Sequence, residues 1–105
     1  MKQKDYEIAK KLKERLSETV SLVDFRVFGS RARGSGDEYS DMDVFIEIEF
    51  IDKKLKEKIS DIVLEIGFED FVVIFPLIFT KEEIEDSPLR LSPIVKNIME
   101  EGIIV

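Results

Sequence analysis

At 105 residues, 44% apolar and 37% charged, the chain is sized for one small domain with a single core, spanning residues 1–105. It has no Cys and no His, which excludes disulfides, thiolate chemistry, a Cys-based zinc site, a His base and a His-ligated metal; acid–base or metal chemistry falls to Asp, Glu, Lys, Tyr or water. A net charge of −7 argues against general nucleic-acid binding, though not against one small anion held locally.

Residues 1–11 carry charge without an apolar stretch and do not read as a secretory leader. Residues 4–20 place Ala9, Leu12, Leu16 and Val20 on one stripe, the spacing of an amphipathic helix, with Lys and Glu as a solvated face. Val23, Phe25 and Val27 alternate with Asp24 and Arg26, which predicts a strand running into Gly29-Ser30, where a short helix starts. Gly34-Ser35-Gly36-Asp37 is a loop. Asp41 to Ile48 has a period of two: Met42, Val44, Ile46 and Ile48 face one way, Asp41, Asp43, Phe45 and Glu47 the other. Glu47 lies further along the acid face and reads as a solvated charge or a partner for Lys.

Residues 53–66 form a second amphipathic helix, with Asp52 as N-cap and Gly67 as its stop. Phe71 to Phe79 is apolar on both faces, which predicts a buried strand; nine residues broken by Pro76 fall short of the ~20 a membrane helix needs. Thr80-Lys81-Glu82-Glu83 is a capping box opening a short helix. Ser92-Pro93 opens the last helix, Gly102 ends it, Ile103 can pack back on Ile98, and the apolar tail is expected to be docked. This order predicts an α/β (α+β) fold, a small mixed sheet packed by helices. The expected setting is soluble and cytoplasmic, with no membrane contact. The Lys- and Glu-rich charge, with one Gln and one Asn, follows the drift of thermophile proteins.

Two features carry chemistry. Gly29-Ser30-Arg31-Ala32-Arg33-Gly34 follows a strand and opens a helix. Small residues let the backbone approach an anion, and first-turn N–H groups point at its oxygens. Ser30 adds a hydroxyl donor; Arg31 or Arg33 can add charge-assisted bonds to phosphate, although Arg33 can instead pair with Asp37 or Glu38 to shape the loop. The second feature is Asp41 and Asp43, two apart on one strand face, which can converge on one divalent ion or two adjacent ions. Mg²⁺ held by such a pair together with phosphate oxygens gives a binding site for a nucleoside triphosphate. An EF-hand is excluded by the spacing and the missing closing Glu. Tyr39, in the loop beside the site, is placed for base stacking or for local packing.

The run Gly29-Ser30-Arg31-Ala32-Arg33-Gly34, followed by Ser40-Asp41-Met42-Asp43, resembles the signature of the minimal nucleotidyltransferases of the DNA polymerase β-like superfamily. The resemblance implies ATP as donor, transfer of a nucleoside monophosphate to an acceptor hydroxyl, and pyrophosphate as the leaving group. It implies Gly29 and Ser30 on the β- and γ-phosphates and Asp41 and Asp43 on Mg²⁺, with two ions. It also implies a third acid on a neighbouring strand, for which Glu69 and Asp70 are the candidates and Asp70 the preferred one. Such domains often accompany a helical HEPN-type toxin, as antitoxins that in some cases adenylylate it. Two readings follow: a Mg²⁺-dependent transferase acting on a partner protein, or an inactive module that neutralises a helical partner by occlusion. A homodimer is compatible with both.

Overall fold

The computed structural model describes residues 1–105. Helix α1, Gln3–Thr19, leads into strand β1, Leu22–Phe28. Helix α2, Gly29–Arg33, follows without a linker; then come β2, Met42–Ile48, and helix α3, Lys53–Asp70. Strand β3, Ile74–Thr80, runs directly into helix α4, Lys81–Asp86; a 3₁₀ turn over Pro88–Leu91, helix α5, Pro93–Glu101, and a two-residue strand β4, Ile103–Ile104, complete the chain. This is an α+β fold built on one mixed sheet.

The sheet order is β3-β2-β1-β4. β1 is antiparallel to β2 and to β4, whereas β2 and β3 are parallel. A parallel pair needs a crossover, and α3 supplies it. The alternation in β2 divides the interior. Met42, Val44, Ile46 and Ile48 join Leu12, Leu16, Ile59 and Ile66 in a core between the sheet and helices α1 and α3. Phe45, on the opposite face, is fully buried and stacks obliquely on Phe79 at 5.6 Å between ring centres. Val95 and Ile98 of α5 are buried as well, while Phe28 and Asp43 at the far end of that face keep partial access to solvent.

The local signals act where expected. Asp52 caps α3 by accepting the Leu55 N–H at 2.8 Å. Thr80 and Glu83 close a reciprocal capping box, and Ser92 accepts the Val95 N–H at the start of α5. The tail is docked through β4 on β1, and Val105 packs on the core.

Three expectations are corrected. Helix α3 does not stop at Gly67 but runs to Asp70, with Phe71 left-handed at φ 54°. The carbonyl of Gly67 accepts the N–H groups of Phe71 and Val72, closing the last turn. A Cβ on Gly67 would lie 2.8 Å from the Val72 carbonyl oxygen, so the glycine is required for this termination but sits one turn ahead of it. β3 therefore begins at Ile74, and it is an edge strand with Phe71, Val73 and Phe75 in solvent, not a buried central one. Glu47 is not a solvated charge: it is 5% exposed beneath α4.

Candidate functional site

The register of β1 and β2 builds the site. Phe28, the last residue of β1, sits opposite Asp43, so the chain turns into α2 directly over the Asp43 side chain. Gly29 makes that turn at φ 75°, and any Cβ there would collide with the Asp43 carboxylate. Glycine is needed on both counts, backbone conformation and space. Phe28 offers no side-chain cap to α2, which leaves the first-turn N–H groups to an outside acceptor. Ser30 uses its carbonyl to hold the Ser35 and Gly36 N–H groups, which folds the following loop back against the turn.

Asp41 is exposed just ahead of β2 and Asp43 is half-buried one step along the strand. Burial pushes the Asp43 carboxyl above the ordinary aspartate range, the Asp41 charge adds to this, and Arg33 opposes it. Two neighbouring carboxylates without an ion pair, one of them against a turn that only glycine fits, suit a hard divalent cation with oxygen ligands. Asp41, Asp43 and Ser30 are thus brought to one end of the sheet.

The arginines separate. Arg33 is exposed, makes no ion pair within 4 Å and acts on Asp43 through its charge. Arg31 is buried, and its guanidinium faces inward. It pairs with Asp5 at 2.6 Å, donates from Nε to the Ser40 carbonyl at 2.8 Å and from Nη2 to the Glu38 carbonyl at 3.3 Å. These bonds tie α1, α2 and the loop before the Asp pair together and leave the guanidinium facing away from an anion at the turn. Lys2 adds a bond to the Gly36 carbonyl at 2.9 Å, and Asp37 accepts the Tyr39 N–H at 2.9 Å. The residue missed from sequence is Asp5. Its signal was its position: 5, 9, 12 and 16 share the buried stripe of α1, and an acid there requires a buried partner.

The expected third acid is not beside the pair. Asp70 ends α3 and stands 2.6 Å from Lys11 on α1, while Glu69 pairs with Lys11 and Arg15. The Asp70 and then the Glu69 carboxylate beside Lys11 raise its pKa, and hydrogen bonds from Lys11 and then Arg15 lower that of Glu69. Neither acid lies on a strand, and no three acidic side chains converge on a common point suited to a metal. The residue opposite Asp43 on β3 is Phe75.

Comparisons with known proteins fall on this architecture. A family model described as a nucleotidyltransferase domain matches residues 8–105. A solved structure of a candidate minimal nucleotidyltransferase superposes with a TM-score of 0.64 at 22% identity, covering 92% of this chain and 88% of that one. A candidate nucleotidyltransferase from Sulfolobus solfataricus superposes with a TM-score of 0.50 at 16% identity, covering 99% and 87%. At these identities the two structures speak for the fold. No functionally curated protein matches the chain. No helix is long and apolar enough to cross a membrane.

Proposed function

The chain belongs to the nucleotidyltransferase domain family, and we propose that it moves AMP from ATP to a hydroxyl of a partner protein with the help of Mg²⁺. The observation that carries the proposal is the packing of the Gly29 turn onto Asp43, which sets helix-start N–H donors, suited to phosphate, beside a carboxylate suited to a metal. Asp41 and Asp43 would hold the ion, and Ser30 with the first-turn N–H groups of α2 would hold the β- and γ-phosphates. Bound there, Mg²⁺ supplies charge neutralisation and alignment for in-line displacement at the α-phosphorus. The acceptor oxygen bonds to that phosphorus, the bond to the pyrophosphate oxygen breaks, the electron pair leaves with pyrophosphate and the hydroxyl proton goes to solvent. Arg33 adds positive charge at the same end of the sheet. With two acids, one ion arriving with the nucleotide fits better than two.

A second reading has its own support. Phe75 faces Asp43 from β3 and Asp70 is paired with Lys11, so no third acidic side chain joins Asp41 and Asp43. In that reading the domain binds nucleotide and neutralises a helical, HEPN-type partner by occlusion. The discriminating experiment uses ATP labelled at the α-phosphorus, Mg²⁺ and a purified helical HEPN-type protein as candidate acceptor. Transfer of label to the partner, with pyrophosphate released, supports the first reading. ATP binding and partner binding without transfer support the second.

A further inference from the structure

One face of the molecule is built against its own stability. Phe71 holds a left-handed backbone, φ 54° and ψ 47°, at a helix end where glycine is the usual residue, and its ring is 90% exposed. A bulky side chain in that conformation is strained, and this one gains almost nothing from burial. It does not stand alone. Phe68 is 76% and Tyr39 86% exposed, and the three rings, at about 150–250 Å² each, present roughly 400–600 Å² of surface. Leu64 and Val73, both more than half exposed, extend the patch. Together they line a groove of about 500 Å³ between the end of α3, the start of β3 and the Tyr39 loop. A patch of this size matches or exceeds the largest on an ordinary monomer and approaches the ~800 Å² per partner of a stable interface.

Charge selects the occupant. Glu38 lines the groove, exposed Asp37 flanks it on the loop side, and exposed Asp61 continues the Leu64–Phe68 stripe of α3. No Lys or Arg lines it; Lys11 and Arg15 are engaged by Glu69 and Asp70, Lys2 by the Gly36 carbonyl, and exposed Lys4 stands in the adjoining pocket that shares Glu38, Phe71 and Val72. A second copy would bring two acidic lips together on chains of net charge −7, which opposes self-association. Strand addition at the β3 edge meets Pro76, which has no N–H to donate. We propose that this groove docks an apolar segment of a partner protein flanked by Lys or Arg, laid side chain into groove as an amphipathic helix. Tyr39 and Ser40 line the groove and directly precede Asp41, so the docked segment lies beside the two acids. The link to catalysis rests on the reading that the acceptor is a protein; docking itself does not.

The probe is a fluorescein-labelled 18-residue peptide of leucine and lysine, ordered to place all leucines on one helical face. A control peptide has the same composition in scrambled order. Anisotropy is read without ATP or Mg²⁺, so failure of docking and failure of nucleotidyl transfer are separate results. The wild type should bind the amphipathic peptide with micromolar Kd, about tenfold or more tighter than the scrambled one. Phe71→Gly should weaken binding about tenfold while raising Tm by about 4–8 °C, which removes misfolding as an explanation. Equal binding of both peptides, no binding by the wild type, undiminished binding by Phe71→Gly, or a wild-type dimer that Phe71→Gly dissolves would each overturn the proposal. A lower Tm for Phe71→Gly would overturn the strain argument beneath it.

Discussion

Replacing Asp5 with alanine tests how the site loop is held. Asp5 and Arg31 form an ion pair at 2.6 Å with side chains 6% and 7% exposed, so removing the acid leaves a guanidinium without its counter-charge in the interior. Breaking a buried pair from one side costs about 3–5 kcal/mol. For a domain whose whole stability is about 5–15 kcal/mol, that is a Tm loss of roughly 12 °C or more. Arg31→Met exposes Asp5 to the same penalty and also removes the donor to the Ser40 carbonyl, an additional loss of about 1–3 kcal/mol. The double variant Asp5→Ala/Arg31→Met relieves both unpaired charges and should keep only the carbonyl term, so it should be more stable than either single variant. Urea unfolding of the four proteins gives the coupling energy, expected at about 3 kcal/mol or more. An Asp5→Ala protein within about 1 kcal/mol of wild type, or losses that simply add in the double variant, would refute the reasoning.

Other variants probe the two faces of β2. Asp43→Asn should stabilise the fold at neutral pH: the Asp43 pKa is raised by burial and by Asp41, so its ionic penalty is absent below the ordinary aspartate range and complete above the raised value. The gain in Tm should grow as pH rises through that window while Mg²⁺-dependent nucleotide affinity is lost. Glu47→Gln follows the same sign, because burial first, then Asp24 and Glu85, raise the Glu47 pKa. It should stabilise the fold at pH 7 and leave it unchanged well below the usual glutamate range, as thermal melts across pH will read. Gly29→Ala should cost about 1–2 kcal/mol through its positive φ and abolish metal binding by displacing the Asp43 carboxylate, followed by urea unfolding and Mn²⁺ titration.

What could be read from the sequence is what depends on neighbours in the chain. Periodicity located α1, β1, β2 and α3, and the residues Asp52, Thr80, Glu83 and Ser92 announced their caps because capping is satisfied within four residues. Gly29, Asp41 and Asp43 stand out by pattern, and the register pairing Phe28 with Asp43 explains the proximity of Gly29 to Asp43. What failed depends on partners distant in sequence. An apolar run reads alike in a buried central strand and in an edge strand beside an uncovered groove, so β3 was misjudged. Glu69 and Asp70 looked free to face the site because nothing local shows that Lys11 and Arg15 pass beside them. Arg31 lay within a motif that suggested phosphate, yet Asp5, 26 residues earlier, turns it inward. Glu47 alternates correctly with the core, but its covering helix α4 comes from more than 30 residues on.

The turn at Gly29-Ser30 and the Asp41–Asp43 pair are proposed to form one binding site for a metal-bound nucleoside triphosphate. Calorimetric titration of ATP, with and without Mg²⁺, into the wild type and into Asp41→Asn/Asp43→Asn tests it most directly. The wild type should bind ATP in a Mg²⁺-dependent way, and the double variant should lose that binding while retaining a cooperative melt. Absence of ATP binding by the folded wild type, or binding that survives in the double variant, would contradict it.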